Sequence, residues 1–345
     1  MDKHLSKRLI YVGFVFRHHK GTHAGYDKIK NYLKYDLEVD SQAEHEWLSY
    51  SLSNIGSKII RKLYMIVFGS TYLLTLIKCF YLILFRKNQV FHFVYGENNY
   101  KWLHRFKGET NEIVCTYHQP LEFFVDKPAL INTIKCLDKI ILMSEKEVSA
   151  FKEWTGRDNV FFIPHGIDID FYSPDYSLKR EKTILMVGNW LRDFKLANEV
   201  FNILLEKVPD LNVIVVTSKD NHYHFNNSKI QLLSGITDEE LRNLYRTVNC
   251  MFLPLLSFTA NNAVLEAASA GCPILIATNN FNNSYFETEQ IELMPLETGK
   301  IVERLINSID TPYDQSKASK IREFVSDKYS WNKIANETKA LLIAD

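Results

Sequence analysis

TILMVGNWLRDFKLANEVFNILLEKVPDLNVIVVTS, residues 183–218, decides how the chain is read. An apolar run ends at Gly188. Beyond it Leu196, Val200, Phe201 and Leu204 recur at helical spacing, and a β-branched run, residues 213–216, follows. Strand, helix and strand in this order predict a βαβ unit, because parallel neighbours need a long crossover connection, usually a helix.

The same alternation extends in both directions. Upstream, LIYVGFVF, VFHFVYG, EIVCTYHQ, KIILMS and VFFIPHG read as strands, with helical patterns between them. Downstream come IQLLSG, the helix TDEELRNLYRTV, the strand CMFLPL and the helix preceding GCPIL. Ser144 with Glu147, and Thr237 with Glu240, have the spacing of capping boxes. Two Rossmann-like halves follow, joined by the polar stretch SPDYSLKREK. The expected domains are 1–172, a linker 173–182, a second domain 183–316, and a C-terminal helix, 317–345, packing back toward the first domain. A ligand shared by both halves is expected in a cleft beyond the carboxyl ends of the strands.

At 345 residues the chain exceeds the usual reach of one core, in keeping with two domains. Lys plus Arg equal Asp plus Glu at 41 each, which removes any global electrostatic argument for nucleic acid. Local charge differs: between residues 55 and 108, Lys58, Arg61, Lys62, Lys78, Arg86, Lys87, Lys101, Arg105 and Lys107 face a single acid, Glu97. Five scattered cysteines suit buried thiols in a reducing compartment, and none has zinc-site spacing. The basic N-terminus leads into an apolar run without a small-residue cleavage site, so the run reads as a first strand rather than a signal peptide.

Residues 63–85, LYMIVFGSTYLLTLIKCFYLILF, carry one charge, Lys78. A membrane span here would separate strands of one sheet across a bilayer. The remaining readings are a buried core helix and a helix lying in the membrane interface, its basic flanks facing anionic lipid.

VFFIPHGIDIDFYSP, residues 160–174, is the most specific segment. With ITDEELRNLYRTVNCMFLPL and LEAASAGCPI it resembles the family 4 glycosyltransferases, retaining enzymes of GT-B fold that use nucleotide sugars. The resemblance implies an α/β GT-B architecture, two Rossmann-like domains facing each other across a cleft. It rests on the chain from residue 160 onward; the first half matches in architecture alone.

In that family one helix usually carries two glutamates. Glu266 keeps the second, which the resemblance places on the ribose hydroxyls; Phe258 stands where the first would contact the donor sugar. A structural Glu266 paired with Lys or Arg is the alternative, since an ionised carboxylate among apolar neighbours needs a partner. Thr259, Asn261 and Asn262 stand at the expected start of this helix, near Thr259, where free N–H groups suit phosphate or sugar oxygens. Gly188 and Gly235 complete the donor-side set. Arg192 and Lys195 are candidates for stabilising a departing diphosphate, against the alternative of surface charges paired with Asp193. The resemblance implies a role for His118 near the sugar; a satisfied core histidine is the alternative. The loop RHHKGTHAGYDK contributes Gly21, Gly25 and Tyr26 toward acceptor and phosphate, and its histidines complete no recognisable metal set.

These readings converge on a cytoplasmic, metal-independent retaining hexosyltransferase without cofactor, peripheral on the inner face of the membrane. It would move sugar from a nucleotide diphosphate to a glycan or lipid-linked acceptor in cell-surface polysaccharide or glycoconjugate synthesis. Its partners would be nucleotide sugar, acceptor and an anionic membrane surface. A same-fold nucleotide-sugar epimerase and a non-catalytic nucleotide-sugar-binding protein remain as rivals.

Overall fold

The computed structural model describes residues 7–16, 19–42, 73–100, 102–257, 260–279, 285 and 291–344. Contacts divide the chain into two compact units: residues 1–21, 25–165 and 334–345 form the first, residues 22–24 and 166–333 the second. The division falls at His165/Gly166, upstream of segment 173–182, which belongs to the second unit.

The first sheet contains β1 (Arg8–Gly13), β2 (Leu37–Asp40), β3 (Gln89–Phe93), β4 (Glu112–Tyr117), β5 (Lys139–Leu142) and β6 (Val160–Phe162), ordered β2-β1-β3-β4-β5-β6. The second contains β7 (Glu181–Val187), β8 (Asn212–Val216), β9 (Ile230–Leu233), β10 (Val248–Pro254), β11 (Ile274–Ala277) and β12 (Ile291–Met294), ordered β12-β11-β10-β7-β8-β9. Every pairing is parallel. Strand order reverses between β1 and β3, and again between β7 and β10. Ligands of open α/β sheets bind at such reversals.

Described helices of seven or more residues are α1 (Leu73–Phe85), α2 (Pro128–Ile134), α3 (Val148–Thr155), α4 (Phe194–Lys207), α5 (Asp238–Thr247), α6 (Asn262–Ser269), α7 (Thr298–Asp310), α8 (Gln315–Tyr329) and α9 (Trp331–Ile343). In the first unit Leu76, Cys79 and Ile83 of α1 pack into a core with Phe91, Phe93, Ile113 and Cys115. The end of α9 is fastened there by Lys7 and Lys139, both donating to the Ala344 carbonyl at 2.6 Å.

Three arginines fix the segment after His165 onto the second unit. Arg322 donates to the carbonyls of Ile169, Tyr172 and Ser269, and Arg246 to that of Ser173. Arg180 serves Tyr245, Val248 and Gly271. Each guanidinium satisfies carbonyls that helix ends and turns leave open.

The structure corrects some local expectations. Thr237 and Glu240 form the capping box of α5, but Ser144 makes no capping bond with its side chain. Glu147 instead accepts from the Leu121 amide at 3.1 Å, and burial pushes its pKa up to about 7. Helix α6 begins at Asn262 with Asn261 as its cap, later than expected. Thr259 and Phe258 lie outside the described residues, as do residues 63–72.

Gly166 explains part of the motif at residues 160–174. A Cβ there would fall 2.7 Å from Cζ3 of Trp331, while Ile167 exchanges backbone hydrogen bonds with Tyr329 and Trp331 at 2.8 and 3.2 Å. The added methyl must displace the indole or break this bridge. Gly166→Ala should therefore cost about 1–3 kcal/mol by overpacking, read as a lower midpoint in chemical denaturation; an unchanged midpoint would contradict this packing.

Candidate functional site

The reversal between β7 and β10 is closed at its floor by backbone. Asp193 N donates to the Pro254 carbonyl and Leu256 N to the Leu191 carbonyl, both at 3.0 Å, so the loop after β7 is zipped to the end of β10. Leu191 has φ 55, a rare value for a branched residue. Gly188 has φ 115, and a Cβ there would lie 2.9 Å from Nε of Arg192, so only glycine lets that guanidinium settle on the backbone.

Arg192 donates through Nε to the Val187 carbonyl at 3.1 Å, through Nη1 to that of Trp190 at 2.8 Å, and through Nη2 to Asn261 Oδ1 at 3.4 Å. Burial lowers its pKa to about 10, which leaves it cationic at neutral pH. Three of five donors are committed, so Arg192 first of all holds the β7 loop against the start of α6. Asn261 also accepts from Val264 N at 3.4 Å, and Asn262 opens the helix. Asp193 caps α4 through Leu196 N and pairs with neither Arg192 nor Lys195. Lys195 is exposed on the first turn of α4. Asn189 Oδ1 accepts from Thr217 Oγ1 and Ser218 N, tying the β7 loop to the end of β8.

Glu266 is 4% exposed, and no Lys or Arg pairs with it among the described residues. The Tyr245 hydroxyl, from α5, donates to its Oε2 at 3.0 Å. Burial drives its pKa up to about 7, and the Tyr245 bond opposes that rise. The salt-bridged alternative is thus absent here. Gly235, with φ 69, lies in the turn between β9 and α5.

Residues 22–24 pack with this same unit. His23 Nδ1 bonds Asp168 Oδ2 at 2.7 Å, and its amide donates to Asp238 Oδ2. Its ring stacks on Phe171 at 3.6 Å, and the Arg242 guanidinium lies over Phe171 at 4.5 Å. Asp168 also accepts from Phe171 N, which shapes the turn of the motif. His23 is therefore engaged with a carboxylate and a ring, and no metal-binding cluster of His, Cys, Asp or Glu occurs among the described residues.

The first unit gathers a second cluster at its own strand ends. His118 follows β4, and its Nδ1 lies 3.3 Å from Glu97 Oε1, which also accepts from the His118 amide. Tyr26 and Tyr95 flank the imidazole, with ring centroids at 5.0 and 4.9 Å. The Tyr95 hydroxyl accepts from the amides of Tyr26 and Asp27, anchoring the turn that Gly25 begins. Gly21 is exposed at the tip of that loop. His92 is a satisfied core histidine, held by Tyr35 and Thr116 hydroxyls at 2.7 and 2.8 Å, its pKa lowered by burial to about 3.

Sequence reading missed Glu97, whose buried Oε2 has no hydrogen-bond partner among the described residues. Its position just past the β3 strand end was the available signal. Tyr245 was missed too: on an amphipathic helix it reads as core.

No family model matches the sequence, and no curated protein matches it. Solved structures do. The N-terminal domain of Candida albicans trehalose-6-phosphate phosphatase superposes with TM-score 0.67 at 13% identity, covering 99% of this chain and 98% of that one. HepE from Anabaena, solved with UDP and glucose, gives 0.66 at 14%, covering 97% and 99%. The α,α-trehalose-phosphate synthase (UDP-forming) of Burkholderia xenovorans gives 0.66 at 12%, covering 98% and 100%. These superpositions run nearly end to end. The chain has the GT-B fold. At such identities it is the fold that is shared, and within GT-B the two strand reversals are where this chain's polar clusters lie.

Glu266 makes a prediction of its own. Its folded pKa stands above the ordinary glutamate value of about 4.5, so between these values the folded state holds more protons than the unfolded one. Stability should fall as pH rises from about 4.5 to about 7 and then level off. Glu266→Gln should remove this slope and stabilise the second unit at pH 8, by on the order of 2–3 kcal/mol. Denaturation midpoints across that range check it; parallel profiles would contradict it.

Proposed function

We propose that the protein is a retaining, metal-independent glycosyltransferase that takes a hexose from a nucleoside diphosphate and passes it to a glycan or lipid-linked acceptor. The observation carrying this reading is Glu266: a buried carboxylate at the β7/β10 reversal, without a cationic partner among the described residues and with its pKa raised. Such a group is costly unless a ligand uses it. A ribose diol offers two hydroxyl donors to two carboxylate oxygens.

In this reading the remaining groups of each unit divide the work. The free N–H groups at the start of α6 and the uncommitted Arg192 donors face the charge that develops on a departing diphosphate, and Lys195 adds a mobile cation. His118, oriented by Glu97 and the rings of Tyr26 and Tyr95, serves the sugar and acceptor side. In a front-face reaction the departing phosphate oxygen itself takes the acceptor proton, so no separate carboxylate base is required. Assignment to cell-surface polysaccharide or glycoconjugate synthesis in the cytoplasm belongs to the same proposal.

Nucleotide binding tests it directly. Because the carboxylate is the better acceptor, affinity for a nucleoside diphosphate should rise with pH through about 7. Glu266→Gln should bind about 10-fold or more weakly at pH 8, from the loss of about 1.5–3 kcal/mol of charge-assisted bonding, and its pH dependence should flatten. Calorimetry that finds equal affinity in a folded variant would remove the ribose role.

Arg192 and Lys195 should separate. Lys195→Ala should lower turnover with little change in stability, whereas Arg192→Ala should also destabilise the unit by about 1 kcal/mol, since it strands partly buried acceptors. Wild-type turnover in Lys195→Ala would take the lysine out of the site.

A further inference from the structure

Helix α1 presents its apolar residues in two opposite directions. Thr75, Leu76, Cys79 and Ile83 are buried against the first unit, while Leu74, Ile77, Tyr81, Leu84 and Phe85 stand 48–68% exposed. At about 100° per residue the exposed set spans an arc of roughly 100°, with the exposed Lys78 at its edge. A water-facing stripe normally carries charge; this one carries leucine, isoleucine, tyrosine and phenylalanine. The surface continues past the helix. Phe80 meets Phe106 at 5.0 Å and Trp102 at 6.4 Å, and both of those rings are exposed.

Along residues 73–108 the exposed charges have one sign. Arg86 and Lys87 follow the helix and Arg105 lies between the two exposed rings of the turn, all exposed. Glu97, the single acid between residues 73 and 108, has its side chain only 5% exposed. An apolar stripe rimmed by Lys and Arg, with tryptophan and tyrosine at the boundary, complements a bilayer whose interface is apolar beneath and anionic above. Among the described residues no helix is long and apolar enough to cross a membrane, so the contact runs along the surface.

We propose that α1 and the turn 102–106 form a docking surface for an anionic lipid bilayer, lying in the plane of its interface. Leu74, Ile77, Tyr81, Leu84 and Phe85 enter the headgroup boundary with Trp102 and Phe106. Lys78, Arg86, Lys87 and Arg105 pair with lipid phosphates. This assignment stands on the exposed side chains of the first unit and does not depend on the donor site of the second, though the two together fit a lipid-linked acceptor.

The test is sedimentation of the full chain with vesicles of phosphatidylcholine alone and with about 30 mol% of the anionic lipid phosphatidylglycerol added. The protein should pellet with the anionic vesicles, be largely released as salt rises from about 0.1 to 1 M, and bind the neutral vesicles at least about 10-fold more weakly. Replacing Lys78, Arg86, Lys87 and Arg105 by Gln, all exposed and outside the core, should abolish the preference for anionic lipid while nucleotide binding stays at its wild-type value. Tyr81→Ser with Phe85→Ser should weaken binding to both vesicle types. Equal binding to neutral and anionic vesicles, or none to either, would overturn the assignment. So would a concentration-dependent dimer that Tyr81→Ser dissociates, because the stripe would then be covered by a second copy. Loss of nucleotide binding with vesicle binding intact would count against the donor site alone.

Discussion

The reversal of strand order beside β7 is the constraint on which the second unit depends. Chain connections leave β7 toward β8 on one side and return to β10 on the other. The loops at its carboxyl end must diverge, and something must hold them at a fixed separation. Arg192 does this: its guanidinium lies on Gly188, bonds two carbonyls of its own loop and reaches Asn261 at the head of α6. The zipper of Asp193 to Pro254 and Leu256 to Leu191 closes the floor. A left-handed Leu191 and a Gly188 beyond the range of ordinary residues are the local strain that this closure imposes.

Glu266 is tolerable only within that frame. A buried carboxylate held by neutral tyrosine rather than by a cation among the described residues lowers the stability of the apo protein near neutral pH. The neighbouring arginines show the contrast. Arg180, Arg246 and Arg322 are each consumed by backbone carbonyls that would otherwise be buried unpaired, so their charge is structural. Arg192 lies between these extremes, with some donors committed and others open.

Much of the architecture was legible in the residues, and the gaps have physical causes. The strands that sequence reading recovered are mostly central ones, buried on both faces, whose apolar runs are continuous. Two that it missed, β2 and β12, are edge strands of four residues with mostly half-exposed or exposed side chains. The Ser144–Glu147 spacing imitated a capping box because the motif does not reveal that a distant amide, that of Leu121, would claim the glutamate. Only the structure shows the Asn189 amide oxygen joining the β7 and β8 loops. Glu97 and Tyr245 act through residues far away in sequence, which periodicity does not encode. Segment 63–85 left core and interface as open readings; over residues 73–85 the helix has one buried face and one exposed face.

A crystal structure with a bound nucleoside diphosphate, collected above pH 7 so that Glu266 is ionised, tests the central claim most directly. The account predicts the ribose hydroxyls on the Glu266 carboxylate, with Tyr245 still donating to Oε2, and the diphosphate at the first turn of α6 beside Gly188. A nucleotide bound elsewhere on the second unit, with Glu266 contacting only Tyr245, would contradict it.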